Sequence, residues 1–198
     1  PANIEKAEDR TKFSKLLDGL SISQPAWNKF DKLENALLFC NKVGFPILIR
    51  PSFVLSGTSM NVCHNKTELK YYLEKISHIS KESPVTISKF VEKAKEIAAD
   101  GVAQDGNLKV LIISEHVEDA GVHSGDATIV LPPQEINPQT EKIISDIAKK
   151  LAFSLKIRGP FNIQFLAKDN KVSVIEMNIR SSRTFPFISK ATGIDLIK

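Results

Sequence analysis

The chain has 198 residues, 42% of them hydrophobic and 25% charged, with a formal net charge of +4; this is room for one ordinary domain or two small lobes, and it excludes a disordered chain. Its 27 Lys and Arg are interspersed with 23 Asp and Glu, which argues against a basic nucleic-acid module and fits a small anionic substrate equally well. No apolar stretch approaches the roughly 20 residues of a membrane span, no signal-peptide pattern is present, and Cys40 and Cys63 lack metal spacing, so two free, packed thiols in a reducing compartment are expected.

The first predicted helix covers residues 8–20, with Phe13, Leu16, Leu17 and Leu20 on one face. A second covers 32–43, capped by Asp31 and ended by Gly44. Residues 45–50 read as a buried strand stopped by Pro51, and 60–63 as its returning partner. Thr67 is expected to cap a third helix running to residue 79. Strands follow at 85–90, 96–103 and 108–114, the last two joined at Asp105-Gly106-Asn107. Another strand covers 126–131. Asn137 and Pro138 open a helix striped by Ile143, Ile144, Ile147, Leu151 and Leu155. A final hairpin pairs 161–168 with 172–178. The expected organisation is an N-terminal lobe, residues 1–90, headed by the first helix, and a C-terminal lobe, 91–198, meeting near 89–95. The chain starts at Pro1 and stops inside an apparent helix, so a piece of a longer protein is expected.

The final hairpin carries the most chemical information. A three-residue turn, Asp169-Asn170-Lys171, sets Gln164 opposite Glu176 and Asn162 opposite Asn178. Alternation then gathers Asn162, Gln164, Leu166, Val174, Glu176 and Asn178 on one face and Ile163, Phe165, Ala167, Ser173, Ile175 and Met177 on the other. Converging amide and carboxylate oxygens suit Mg²⁺; the same pattern also describes the solvated side of a sheet. Arg180 and Arg183, three apart, point the same way if the chain turns helically there, and beside a metal they bind an anion. Arg50 ends an apolar strand ahead of the small-residue loop Ser56-Gly57-Thr58-Ser59, a shape that admits phosphate and also an ordinary surface loop. Neither a P-loop nor a dinucleotide-binding fingerprint is present. Zinc ligation by His116, His123 and Asp126, and a hydrolase triad through Ser124, match no standard spacing.

Three strings carry a family resemblance: Arg50-Pro51-Ser52-Phe53-Val54-Leu55-Ser56-Gly57; the run from Glu115 through Val122-His123-Ser124-Gly125-Asp126; and Glu176-Met177-Asn178-Ile179-Arg180-Ser181-Ser182-Arg183. In this order, over essentially the whole chain, they closely resemble the ATP-grasp domain in the second half of the carbamoyl-phosphate synthetase large chain. The resemblance implies an α+β fold, two lobes with antiparallel sheets clasping ATP, and phosphorylation of carbamate to carbamoyl phosphate with Mg²⁺ or Mn²⁺. By position it implies nucleotide-phosphate contacts at Arg10 and Arg50 and an adenosine pocket at Lys89, Val91 and Glu96, with Glu96 on the ribose. It further implies nucleotide contacts at Gly121, Val122, His123 and Ser124, metal ligands at Gln164, Glu176 and Asn178, and substrate and transition-state contacts at Arg180 and Arg183, which with Arg50 form the implied catalytic set. The loop at residues 56–59 is the implied lid.

Ser56-Gly57-Thr58 and Ile179 depart from bacterial members and look eukaryotic; an acid common two residues after the glutamate is absent, since Ala98 stands there. The implied partners are the rest of the synthetase chain and a glutaminase domain or subunit, with no nucleic acid and no membrane. The implied setting is pyrimidine synthesis in the cytoplasm, with a mitochondrial location as the alternative. Competing readings are a nucleotide-binding fragment inactive in isolation and another ATP-grasp ligase or carboxylase.

Overall fold

The computed structural model describes residues 2–51, 60–75, 84–121 and 127–196. Expectations that rest on the loop at 56–59, on helix residues 76–79, and on Val122, His123, Ser124 and Asp126 lie outside the described residues. The chain divides into two compact units: residues 25–92, and residues 1–24 together with 93–198. The leading helices, which the sequence reading set at the head of the first lobe, belong to the second unit. No helix among the described residues is long and apolar enough to cross a membrane.

The 25–92 unit is a four-stranded antiparallel sheet in the order β1-β4-β2-β3, where β1 is Trp27–Phe30, β2 is Ile47–Pro51, β3 is Asn61–Cys63 and β4 is Val85–Lys89. Helices α3 (Leu33–Val43) and α4 (Lys66–Lys75) accompany it. Its core joins Phe30, Ala36, Cys40, Ile47, Ile49, Cys63, Leu69, Leu73, Val85 and Ile87. Burial pushes both thiols up to about 11, so they are protonated, inert packing groups. Both expected caps differ. Lys32, not Asp31, precedes α3 and makes no side-chain cap bond. Asn65, not Thr67, caps α4 by accepting from Glu68 N at 2.9 Å, while the Glu68 carboxylate accepts from the N–H of His64, the residue before the cap, at 2.8 Å, a variant of the capping box.

The other unit holds a five-stranded antiparallel sheet in the order β7-β6-β5-β8-β9: β5 is Lys95–Gln104, β6 Asn107–Asp119, β7 Ile129–Val130, β8 Gly159–Lys168 and β9 Lys171–Asn178. Asp9 ends α1 (Ala2–Glu8) and caps α2 (Arg10–Gly19) by accepting from Lys12 N at 2.8 Å; α2 is the helix expected over 8–20, and α1 ahead of it has no expected counterpart. Asn137 caps α5 (Pro138–Ser154) by accepting from Thr140 N at 2.9 Å, as anticipated. One sheet face packs its Ile97, Ala99, Phe161, Ile163, Phe165, Val172, Val174 and Met177 into one core with α5, Phe13 and Leu17. The end of the opposite face is covered by α6 (Phe185–Thr192), whose Phe185 and Ile188 pack with Val102, Val110 and Ile112.

Central strand β5 keeps a glycine where β8 supplies a large ring. Gly101 pairs directly with Phe161, and a Cβ built on Gly101 would lie 2.6 Å from the Phe161 ring. Gly101→Val is expected to cost about 1–3 kcal/mol through overpacking, read as a lowered midpoint in urea; an unchanged midpoint contradicts this packing.

Candidate active site

The face of the five-stranded sheet opposite the core gathers the polar side chains. Directly paired residues of an antiparallel sheet share a face. One row runs Ser114, Ala98, Gln164, Glu176, and the next Ile112, Asp100, Asn162, Asn178. Gln164 therefore stands opposite Glu176, and Asn178 Nδ2 donates to Glu176 Oε1 at 3.3 Å. The pairing is the expected one, but the route to it is not. The turn has two residues, Asp169 and Asn170, both at positive φ (50° and 61°), with Lys168 opposite Lys171, the geometry of a type I′ hairpin. That register alone would shift Glu176 out of line. A bulge on β9 between Val174 and Glu176 adds one residue, Ile175, and restores it. The face assignment of the outer half changes accordingly: Val172 and Val174 join the core, while Ser173 turns away from it with Leu166.

Glu96 lies further along the same face of β5 and is only 8% exposed. Burial, and after it the charge of Glu176, push its carboxyl up to about 7. Its neighbour His116, with Nδ1 at 3.9 Å from Glu96 Oε1, is held below the usual imidazole range by burial, which outweighs the opposing pull of Glu118. A neutral imidazole supplies no counter-charge. Among the described residues no Lys or Arg forms an ion pair with Glu96, Asp100 or Glu176, and Ser114 Oγ is buried without a hydrogen-bond partner. The face thus combines carboxyl groups that lack a Lys or Arg ion-pair partner among the described residues with an unsatisfied hydroxyl.

These properties test the fit of a metal. The Gln164, Glu176 and Asn178 set offers only oxygen as ligand atoms, with a single carboxylate. That suits Mg²⁺ or Mn²⁺, which keep positions open for other oxygens. Among the described residues no group of three or more His, Cys, Asp or Glu is placed to hold a metal; two of the three zinc candidates, His123 and Asp126, lie outside them.

The remaining expected site residues fall as follows. Arg10 opens α2, and its guanidinium donates to the carbonyl of Ile175, the bulged residue beside Glu176. Arg50 is exposed on β2, opposite Thr86, with Nε at 3.2 Å from Met60 Sδ. Lys89 is half-buried at the end of β4 and donates to the carbonyls of Phe45 at 2.7 Å and Gly44 at 3.3 Å. Val91, half-buried, follows β4, and Gly121, at φ 120°, follows β6. Arg180 and Arg183 are exposed just beyond β9 in bends and turns; the helical turn invoked to align them is not there, and Arg180 Nη1 bonds the Ser181 carbonyl at 3.1 Å. The sequence reading missed Asp100, which is fully buried and accepts hydrogen bonds from Asn162, Ser182 and Thr184. The available signal was a charged residue flanked by Ala98, Ala99 and Gly101 in an otherwise apolar strand.

The shift at Glu96 makes a pH prediction. Between roughly pH 4.5 and 7 the unfolded carboxyl has lost its proton while the folded one keeps it. The folded state binds more protons there, so stability falls as pH rises through this window and then levels off. Glu96→Gln is expected to abolish that fall and to stabilise the protein above pH 7 by on the order of 3 kcal/mol. Denaturation series at pH 5 and pH 8 check it; a variant equally destabilised at both contradicts it.

With this geometry in place, the comparisons with known proteins are specific. The family described as "Carbamoyl-phosphate synthase L chain, ATP binding domain" matches residues 9–198. The chain is 51% identical over 198 residues to Multifunctional protein pyrABCN of Emericella nidulans, covering all of this chain and 9% of that one. It is 50% identical over 197 residues to Carbamoyl-phosphate synthase (ammonia), mitochondrial, of Mus musculus, covering 13% of that protein. The chain thus spans about a tenth of these relatives. In structure it is similar to a biotin carboxylase–ATP-analogue complex from Campylobacter jejuni, with a TM-score of 0.79 at 16% identity over 98% of this chain and 45% of that one. D-alanine–D-alanine ligase from Bacillus anthracis complexed with ATP gives 0.69 at 22% identity, covering 98% and 63% of the two chains. These likenesses establish the ATP-grasp fold, α+β with two antiparallel sheets. The chain belongs to the family of the ATP-binding domain of the carbamoyl-phosphate synthase L chain.

Proposed function

We propose that this domain, within a longer synthetase, transfers the γ-phosphoryl group of ATP to carbamate, forming carbamoyl phosphate and ADP. The observation that carries the reading is the convergence of Gln164, Glu176 and Asn178 on one sheet face beside buried Glu96. Mg²⁺ or Mn²⁺ held by those three side chains would supply neutralisation of phosphate oxygens. A carbamate oxygen attacks the γ-phosphorus in line and the bond to the ADP oxygen breaks; the chain contributes positioning and charge, with no protein nucleophile. Arg180 and Arg183 hold the phosphoryl oxygens as charge spreads over them. Glu96 accepts from the ribose hydroxyls, and Lys89 and Val91 line the adenosine site. Arg50, Gly121, Val122, His123 and Ser124 complete the nucleotide contacts, and Arg10 supports them either directly or through the Ile175 carbonyl.

The reading places the domain in the carbamate-phosphorylating half of a multifunctional protein, fed by a glutaminase part and serving pyrimidine synthesis in the cytoplasm. The fungal relatives, each named a multifunctional protein, and their identity of 50–51% support the multifunctional setting; the mitochondrial relative marks the alternative location. Since the chain spans 9% of the fungal protein, a second reading is a domain that binds nucleotide but turns over only in the intact enzyme. Carbamate-dependent ADP release, measured for the isolated chain and for the full-length protein, tests both. Release by the full-length protein alone selects the second; carbamate-independent or absent release from both sinks the proposal.

A further inference from the structure

Asp100 sits on the central strand β5 and is fully buried. Its Oδ1 accepts from Asn162 Nδ2 at 2.9 Å and from Ser182 Oγ at 2.6 Å; its Oδ2 accepts from Thr184 Oγ1 at 2.8 Å. No Lys or Arg among the described residues pairs with it. A buried carboxylate without a cation is retained only when hydrogen bonds satisfy it, and here two of the three donors come from one short irregular segment. That segment, residues 179–184, carries Arg180 and Arg183, has no helical or strand ladder of its own, and leaves both arginines exposed. Its backbone is therefore located by its ends and by Ser182 and Thr184. Across the sheet Asp100 pairs with Asn162, which pairs with Asn178, so the row that anchors the segment also contains one of the three proposed metal-binding side chains.

We infer that Asp100 is a positioning residue: through the hydroxyls of Ser182 and Thr184 it fixes the backbone carrying Arg180 and Arg183 in register with the Gln164, Glu176 and Asn178 face. Asp100 touches no reactant; its effect is transmitted through the arginines, so the consequence for turnover rests on the phosphoryl-transfer reading above. The fixed register gives the arginines a defined origin on a rigid strand, and misplacement by an ångström lowers the rate of an in-line transfer without removing any reacting group.

The test uses the full-length protein carrying Ser182→Ala with Thr184→Val, which leaves Asp100 in place. Thr184 makes no side-chain cap bond to α6, so losing its hydroxyl costs the helix no cap. Thr184→Ser, alone, is the conservative variant that retains the hydroxyl. In the double variant, amide hydrogen exchange over residues 180–184 is expected to accelerate at least about tenfold more than in β8 and β9, whose exchange rises only with the loss of global stability. Its kcat for carbamate-dependent ADP release is expected to fall at least about tenfold with the KM for ATP changed by less than about twofold. Thr184→Ser is expected to match the wild type in both readouts. Unchanged exchange over 180–184 overturns the inference. So does accelerated exchange with unchanged kcat, provided Arg180→Ala and Arg183→Ala each lose activity. If those arginine variants keep full activity, the role proposed for the arginines fails, and the exchange measurement alone decides whether Asp100 anchors the segment.

Discussion

Glu176→Ala is expected to lower carbamate-dependent ADP release by roughly 10²–10³-fold while leaving the protein no less stable than the wild type. Glu176 is the only carboxylate among the three side chains that converge on the proposed cation, and Gln164 and Asn178 are amides. Removing it leaves two neutral oxygens, too weak a set for a hard divalent ion already reluctant to shed water. Stability moves the other way. The charge of Glu176 is the second cause, after burial, of the raised carboxyl at Glu96, so its removal relieves a repulsion in the folded state. The loss of a 3.3 Å bond from Asn178 is a small opposing effect. Collapse of turnover with an unshifted or raised melting point is thus the signature. Equal losses of both would point to a structural role for Glu176 instead. Glu176→Gln, which keeps the shape and removes the charge, is expected to behave like the alanine variant.

The second large effect is on folding. Asp100→Ala removes the acceptor of three hydrogen bonds, leaves the buried Asn162 amide unsatisfied, and leaves the half-buried Ser182 and Thr184 hydroxyls only each other as partners. Bonds to a charged group contribute about 1.5–3 kcal/mol each and are not additive, so a loss of about 3–5 kcal/mol is expected in chemical denaturation. Asp100→Asn keeps one accepting oxygen and presents an amide to the Thr184 hydroxyl, which can accept, so its loss is expected to be about half as large. A loss below about 1 kcal/mol for the alanine variant would show that the network is not stabilising.

Much of the architecture is legible in the residues. The stripe of Ile144, Ile147 and Leu151 and the Asn137 cap mark α5 because they follow helical period and capping chemistry. The last hairpin is legible in composition but not in detail. Asp169 and Asn170 are both residues that tolerate positive φ, and they close a two-residue turn. A three-residue turn reproduces the observed pairing of Gln164 with Glu176 only because the bulge at Ile175 supplies the missing residue on the strand instead. A bulge has no sequence mark here, since Ile175 is an ordinary strand former. Strand β1 escapes notice because Trp27, Asn28, Lys29 and Phe30 show no alternation and only Phe30 is buried. Helix α6 has no counterpart in the sequence analysis; its Pro186 stands in the first turn, where proline is tolerated. In the site, Gln164, Glu176 and Asn178 are close in sequence and share a hairpin, so their convergence follows from local geometry. Asp100 is 62 residues from Asn162 and 82 from Ser182, and no local pattern announces contacts made at that range.

A crystal structure of the protein with Mg²⁺ and a non-hydrolysable ATP analogue tests the central claim most directly. The account predicts a metal about 2.0–2.1 Å from a Glu176 oxygen and from phosphate oxygens, with Gln164 and Asn178 turned to the same ion. Nucleotide and metal bound with those three side chains facing bulk solvent would contradict it.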